Sequence, residues 1–134
     1  MRCLLDTCVV LWYFAGSARI PAAVRDELTN PDNEVFVSDV SILEVVIKHT
    51  LGKLPLKQKP AHFWSELVRR HHLVELPIRA PDICVWGELP LIHRDPFDRL
   101  LLAQAVTNKL CLITPDSVVR EYDVSTWWVV IGDR

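Results

Sequence analysis

Two acidic residues of this chain follow short apolar runs at opposite ends of the sequence. Asp6 comes directly after Leu4-Leu5, and Asp116 comes after Leu112-Ile113-Thr114-Pro115. Runs of this kind are typical of buried strands in a parallel sheet. Active sites in open parallel sheets form beyond the carboxyl ends of the strands, so we expect both carboxylates at the same edge of one sheet.

Glu44 is a third acid whose position suggests chemistry. It lies on a predicted helix, beside an apolar stripe formed by Val40, Leu43 and Ile47, whereas a solvent-facing glutamate would lie opposite that stripe. The alternative is a surface ion pair with Lys48, four residues later, which would stabilise the helix by about 0.2–0.5 kcal/mol.

Asp95 and Asp98 compete for the place of a fourth acid. Asp95 precedes Pro96, so it is explained as the cap of a helix that begins there. Asp98 stands at the third helical position, where it could complete a reciprocal cap or remain an ionised ligand near the positive end of the helix dipole. The residues by themselves leave both assignments open.

Carboxylates that converge in one pocket repel each other, and some remain protonated unless a cation neutralises them. A set of carboxylate oxygens suits Mg²⁺ or Mn²⁺, and such ions activate water and stabilise charge that develops on a phosphoryl oxygen. The implied reaction is metal-assisted hydrolysis of a phosphodiester. Thr7, Ser41 and Thr114 would orient the acids through hydrogen bonds, or would simply cap the ends of helices and strands.

The order of predicted elements indicates an α/β fold, a three-layer α/β/α sandwich with a mostly parallel central sheet. Residues 8–14 form a segment that is apolar all round. The whole chain, 1–134, is predicted to be a single domain. Strands are predicted at 2–6, 34–38, 73–76, 110–114 and from 123 through 131, and helices at 22–30, 39–50, 61–71, 81–89 and 96–108.

Composition and charge exclude several classes of protein. Half of the 134 residues are hydrophobic and 24% are charged, which excludes a disordered chain. Residues 45–72 hold six basic residues and one acid, whereas the remainder holds nine basic residues and sixteen acids. This division suits a protein that binds a phosphate backbone beside an acidic centre, although it also describes a solvated surface.

We expect a cytoplasmic protein. The first residues lack the pattern of a signal peptide, and no apolar run is long enough to span a membrane. The cysteines form no C-x-x-C pair, which favours reduced thiols over a disulfide or zinc site. The sequence also lacks the Gly-rich nucleotide-binding motifs and the nucleophile elbow of α/β hydrolases.

Several segments together resemble PIN-domain proteins of the VapC toxin type over nearly the whole chain. The most specific is His93-Arg-Asp-Pro-Phe-Asp98-Arg followed by Leu100-Leu-Leu-Ala-Gln-Ala105. The others are Leu4-Leu-Asp-Thr7, Ser38-Asp-Val-Ser-Ile-Leu-Glu44-Val-Val-Ile-Lys48, Leu51-Gly-Lys-Leu54 and Leu112-Ile-Thr-Pro-Asp116.

The resemblance implies a Mg²⁺- or Mn²⁺-dependent endoribonuclease that is the toxin of a VapBC-type toxin–antitoxin module. It also implies a homodimer that a cognate VapB-like antitoxin keeps inactive. The metal-binding and catalytic acids implied by position are Asp6, Glu44, Asp98 and Asp116, with Asp98 preferred because the third acid of related proteins precedes the Leu-x-x-Ala helix. Asp95 then joins the supporting residues.

Other assignments complete these expectations. Lys48, Lys53, Arg94 and Arg99 are predicted to contact phosphates of the RNA backbone, or else to form surface ion pairs. A regulatory module that binds operator DNA together with its antitoxin is an alternative function. A receiver-like or phosphatase-like domain that uses Asp6 covalently is another.

Overall fold

The computed structural model describes residues 1–129, which form one five-stranded parallel sheet and six α-helices. The predicted extension of the last strand through residue 131 lies in part outside the described residues. The strands are β1 (Arg2–Leu5), β2 (Glu34–Ser38), β3 (Val74–Leu76), β4 (Cys111–Ile113) and β5 (Thr126–Trp127). The helices are α1 (Thr7–Ala15), α2 (Ala22–Thr29), α3 (Asp39–Thr50), α4 (Pro60–His71), α5 (Ala80–Glu88) and α6 (Pro96–Asn108), with a short 3₁₀ turn at Val119–Glu121.

The strand order is β3-β2-β1-β4-β5, and all four pairings are parallel. The first strand of the chain therefore lies in the centre, where Leu4 pairs with Phe36 of β2 on one side and with Leu112 of β4 on the other. Parallel neighbours need a crossover connection; the connections from β1 through β4 contain α-helices, and the one from β4 to β5 contains only the 3₁₀ turn. The ends of β1 and β4 thus meet at one edge although they are far apart in sequence.

Successive residues of β1 enter two different hydrophobic cores. Cys3 and Leu5 pack in the core that also contains residues of α1, α2 and α4, whereas Leu4 packs in the core that contains residues of α6. All three side chains are fully buried. This alternation is what a sheet covered on both faces requires, and it confirms the predicted α/β/α sandwich.

The apolar segment 8–14, for which no secondary structure was predicted, lies within the helix α1, and Gly16 follows the helix in the left-handed conformation, with φ of 63°. The predicted apolar stripe on α3 is buried only at Val40, since Leu43 and Ile47 are more than a third exposed. The buried face of α3 carries Val40, Ser41, Glu44 and Val45.

None of the helices within residues 1–129 combines the length and apolar character that a transmembrane span requires. All four cysteines are free thiols, as predicted from their spacing.

Candidate active site

Asp6 lies where the central strand becomes a helix. Its backbone N–H donates to the Ile113 carbonyl of β4 at 3.1 Å, and its carbonyl accepts the first bond of α1 from Val10 at 3.0 Å. Its side chain does not cap that helix. One carboxylate oxygen, Oδ2, accepts a hydrogen bond of 2.6 Å from the Thr114 hydroxyl. The backbone thus fixes Asp6 while its carboxylate stays available at the end of the sheet.

Asp116 is placed by the loop that follows β4. Its Oδ1 atom accepts hydrogen bonds from the backbone N–H groups of Val118 at 2.8 Å and Val119 at 3.3 Å. Its own backbone N–H donates to the Thr114 hydroxyl oxygen at 3.1 Å. Thr114 therefore connects the two strand-end acids, and the second oxygen of Asp116 is not used by the loop.

Glu44 is buried, with 6% of its surface exposed, on the inner face of α3. Its Oε2 atom accepts a hydrogen bond of 2.6 Å from the Lys48 ammonium, so the predicted surface pair does form. The other oxygen, Oε1, is buried and has no hydrogen-bond partner among the described residues. A buried carboxylate oxygen without a partner is costly, so Oε1 is free to accept a water or bind an ion.

Hydroxyl groups join the elements that carry the acids. The hydroxyls of Thr7 on α1 and Ser41 on α3 share a buried hydrogen bond of 3.0 Å. Ser38 caps α3 by accepting from Val40 N–H at 2.9 Å. These bonds hold the start of α3, and with it Glu44, against the end of β1.

Asp95 and Asp98 have different roles at the start of α6. Asp95 caps the helix, because its Oδ1 accepts from the N–H groups of Phe97 at 2.8 Å and Asp98 at 3.2 Å. The reciprocal cap does not form, since the Asp95 N–H donates instead to Nδ1 of His93 at 3.0 Å. The carboxylate of Asp98 is therefore not occupied by capping.

All four predicted acids line one cavity of about 230 Å³. Asp95 and Lys48 also reach it, and its remaining walls are largely apolar. The structure thus brings together groups from the ends of β1 and β4 and from α3 and α6. Its lining residues are Asp6, Thr7, Cys8, Leu11, Glu44, Val45, Lys48, Leu54, Asp95, Asp98 and Asp116.

Two acids of this cavity, Asp6 and Asp98, have raised pKa values. Burial, and then the charges of Asp6, Asp95 and the other acids, raise the pKa of Asp98 from 3.8 to about 8. Burial also raises the pKa of Asp6, against the hydrogen bond from Thr114 that lowers it. The pKa of Cys8 rises to about 12, first through burial and then through nearby carboxylates, so Cys8 remains a neutral thiol.

The carboxylates that line this cavity lack enough nearby positive charge to neutralise them. A divalent cation with oxygen ligands would relieve the repulsion and occupy the free Oε1 of Glu44. The donor set consists of carboxylate oxygens and therefore fits Mg²⁺ or Mn²⁺ better than a soft metal ion. The residues present fit such an ion.

Comparison with known families decides the classification of the chain. The model of the family described as "PIN domain" matches residues 3–125, which extend from β1 to the residue before β5 and include all four acids. The chain belongs to the PIN-domain family. This membership replaces the alternative of a receiver-like or phosphatase-like domain. Among curated proteins, none matches the sequence.

Solved structures similar to this PIN domain include several VapBC complexes. VapBC2 from Rickettsia felis, bound to a DNA fragment from its promoter, has a chain with a TM-score of 0.71 and 16% identity, covering 96% of this chain and 100% of that one. VapBC-1 from nontypeable Haemophilus influenzae has a chain with a TM-score of 0.66 and 16% identity, covering 95% of this chain and 97% of that one. VapBC-5 from Mycobacterium tuberculosis has a chain with a TM-score of 0.59 and 20% identity, covering 94% of this chain and 95% of that one. At these identities the likeness establishes the fold.

His93 is a residue of the PIN-domain site that the sequence interpretation did not select. Its Nε2 atom lies 3.0 Å from Oδ2 of Asp98 and 3.4 Å from Oδ2 of Asp116. The three side chains offer ligand or hydrogen-bonding atoms within 4.8 Å of one another. The available signal was its place in the His93-Arg-Asp-Pro-Phe-Asp98 segment, five residues before one of the acids.

The predicted RNA-contacting residues have unequal positions. Lys48 is half exposed beside Glu44, and Lys53 and Arg94 are exposed. Arg99 contradicts the prediction, because it is 1% exposed and cannot reach a phosphate. Its guanidinium donates to the carbonyls of Trp86, Leu89 and Pro90, at 2.6, 3.1 and 2.8 Å, and stacks on the Trp86 ring. Arg99 is a structural residue that holds the segment between α5 and α6.

Proposed function

We propose that this PIN domain is a Mg²⁺- or Mn²⁺-dependent endoribonuclease that hydrolyses phosphodiester bonds of RNA. The observation that carries the proposal is the convergence of four carboxylates in one cavity of a PIN-domain chain. The raised pKa of Asp98 and the unpartnered Oε1 of Glu44 support a cation at the same place.

In this proposal Asp6, Asp98 and Asp116 hold the ion, and Glu44 either binds it or orients the attacking water. The ion supplies positive charge that neutralises the carboxylates and stabilises charge developing on a phosphoryl oxygen. Lys48 contributes by holding Oε2 of Glu44, so that Oε1 is the oxygen turned to a water or an ion.

Thr114 has a positioning role at the same site. Its hydroxyl donates to Asp6 and accepts from the backbone of Asp116, which sets the separation of the two strand-end acids. The exposed Lys53 and Arg94 would then bind the RNA backbone outside the pocket, where their charge is solvated.

An RNA cleavage assay tests the proposal. Purified protein should cleave RNA with Mg²⁺ or Mn²⁺ and stop when EDTA is added, and the Asp6→Asn variant should lose activity. The matched control is Asp26→Asn, which removes an exposed carboxylate on α2. Metal-dependent cleavage that survives Asp6→Asn, or equal loss in both variants, would refute the assignment of the site.

We further propose that the chain is the toxin of a VapBC-type module and acts in the cytoplasm with a VapB-like antitoxin. Support comes from the fold shared with chains of VapBC complexes. An apolar groove of about 530 Å³ adjoins the acidic cavity, with Leu11 and Leu54 lining both. Trp12, Phe14 and Phe63 complete an apolar lining that suits an amphipathic segment of the antitoxin.

Co-expression with the neighbouring upstream reading frame tests the partner. The product should co-purify with this chain, and adding it should stop RNA cleavage. A Trp12→Ala variant should weaken the complex while the isolated enzyme keeps its activity, with Trp64→Ala, outside the groove, as the control. A complex that binds operator DNA while the isolated chain never cleaves RNA would favour the regulatory alternative.

We propose that the toxin is a homodimer, as the resemblance to VapC-type proteins implies. The exposed apolar side chains of α3 support this, since Leu43, Val46 and Ile47 are each more than a third exposed on one helix. Light scattering should give twice the chain mass of 15.4 kDa, and Ile47→Asp should return a monomer. A wild-type monomer at all concentrations would refute the dimer.

A further inference from the structure

His93 lies between two carboxylates of the active site, and its ring is held on the opposite side by the backbone. On one edge, Nε2 lies 3.0 Å from Asp98 Oδ2 and 3.4 Å from Asp116 Oδ2. On the other edge, Nδ1 lies 3.0 Å from the backbone nitrogen of Asp95. Both ring nitrogens therefore have partners, and the partners differ in kind.

These partners determine which nitrogen carries the hydrogen. The Asp95 backbone nitrogen can act as a donor but not as an acceptor, so Nδ1 must present a lone pair. The hydrogen of a neutral imidazole then resides on Nε2, where it faces carboxylate oxygens that accept it. The ring is thus fixed as a donor towards Asp98 and Asp116.

The same tautomer prevents His93 from binding a metal ion through Nε2. A metal-binding nitrogen needs a free lone pair, and histidine ligands usually donate the hydrogen of their other nitrogen to a neighbouring acceptor. Here the other nitrogen, Nδ1, itself accepts a hydrogen bond. Ligation through Nε2 would require the ring to lose the bond to Asp95 and move its hydrogen.

The position of the ring is set by a buried network outside the cavity. The His93 backbone N–H donates to the hydroxyl of Tyr122 at 2.8 Å, and Tyr122 is 4% exposed. The Arg99 guanidinium also reaches that hydroxyl, at 3.3 Å, and binds the carbonyl of Pro90. His93 is therefore held by residues that do not line the acidic cavity.

We propose that His93 is a positioning residue that donates its Nε2 hydrogen to the carboxylates of Asp98 and Asp116 and is not a metal ligand. The inference rests on the proposed function, because it takes these two acids to bind the ion. By sharing one hydrogen between the two oxygens, His93 offsets part of their repulsion and holds α6 beside the end of β4. Donors of this kind behind ligating carboxylates typically change metal affinity by about 10- to 100-fold when removed.

Two substitutions of His93 distinguish the role of Nε2 from that of Nδ1. His93→Asn keeps an acceptor near the position of Nδ1 but lacks a group at Nε2, whereas His93→Gln places an amide donor at the reach of Nε2. We expect His93→Asn to weaken Mn²⁺ and Mg²⁺ binding about 10- to 100-fold by calorimetry. His93→Gln should recover most of the loss, and the exposed His62→Gln should leave affinity unchanged.

The tautomer itself is measured by ¹⁵N NMR of the imidazole ring at one fixed pH. The His93 signals should have the pattern of a ring with its hydrogen on Nε2, and the pattern should persist when Mg²⁺ saturates the protein. A hydrogen on Nδ1, or loss of the Nε2 hydrogen on adding Mg²⁺, would overturn the proposal in favour of a ligand.

The readouts also separate this inference from the proposed nuclease activity. If His93→Asn binds Mn²⁺ like the wild type while both are folded, the positioning role is wrong even if the protein cleaves RNA. If the variants change metal binding as expected and no RNA is cleaved, the positioning role holds and the proposed activity fails. A wild-type protein that binds neither ion overturns both.

Discussion

Replacing Asp98 by asparagine should stabilise the metal-free protein although it removes a proposed catalytic group. The side chain of Asp98 is 16% exposed. Burial and the neighbouring carboxylates raise its pKa from 3.8 to about 8. The substitution keeps the shape of the side chain and removes the charge that causes the repulsion.

The sign of the effect follows from proton binding. A carboxyl with a higher pKa in the folded chain binds its proton more tightly there. Its contribution to the free energy of unfolding is therefore complete below pH 3.8 and declines as the pH rises towards about 8. The decline is up to about 1.4 kcal/mol per pH unit, which amounts to about 4 kcal/mol at a pH of about 7.

Urea unfolding in EDTA, followed by circular dichroism between about pH 5 and about pH 8, measures this effect. We expect Asp98→Asn to be the more stable protein near neutral pH and to lose less stability than the wild type as the pH rises. The exposed Asp26→Asn provides the control and should follow the wild type. An Asp98→Asn protein that is less stable at neutral pH, or whose pH dependence equals that of the wild type, would refute the electrostatic reasoning.

Three further predictions concern individual contacts. Arg99→Met should lower the free energy of unfolding by about 3 kcal/mol or more, because buried carbonyls lose their donor; equal stability in urea unfolding would contradict the role given to Arg99. Thr114→Val removes the hydrogen bond that lowers the pKa of Asp6, so the acidic limb of the cleavage pH profile should move to higher pH; an unchanged limb would contradict this. If Glu44 binds the ion, saturating Mg²⁺ should raise the melting temperature of the wild type but much less that of Glu44→Gln, and an equal shift in both would exclude Glu44 as a metal ligand.

The fold was accessible from the sequence because its strands are nearly continuous apolar runs. Leu4-Leu5 and Leu112-Ile113 are buried on both faces of the sheet, and such segments are recognisable without alternation. The cap at Asp95 was accessible for a similar reason, since the Asp-Pro pair is a local signal. Local chemistry therefore predicted most element starts.

Other features depend on contacts that no local pattern records. The apolar stripe of α3 predicted the buried face only in part, because Val40 and the neighbouring Glu44 are buried while Leu43 and Ile47 are exposed. Arg99 was predicted to contact RNA phosphates or to form a surface ion pair, but it is buried, and the carbonyls that bind it come from another helix and its loop. The role of His93 depends on its contact with Asp116 and on its backbone bond to Tyr122, which are 23 and 29 residues away in sequence.

The long separation between β1 and β4 has a consequence for synthesis of the protein. Asp6 and the Thr114 hydroxyl that binds it are 108 residues apart, so the first acid leaves the ribosome long before its partner. In a nascent chain whose β4 has not yet left the ribosome, β1 has no strand paired on that side, and Asp116 is also missing. Translation itself therefore postpones the assembly of the acidic cavity, and premature termination ahead of β4 yields a fragment that lacks Asp116 and Thr114.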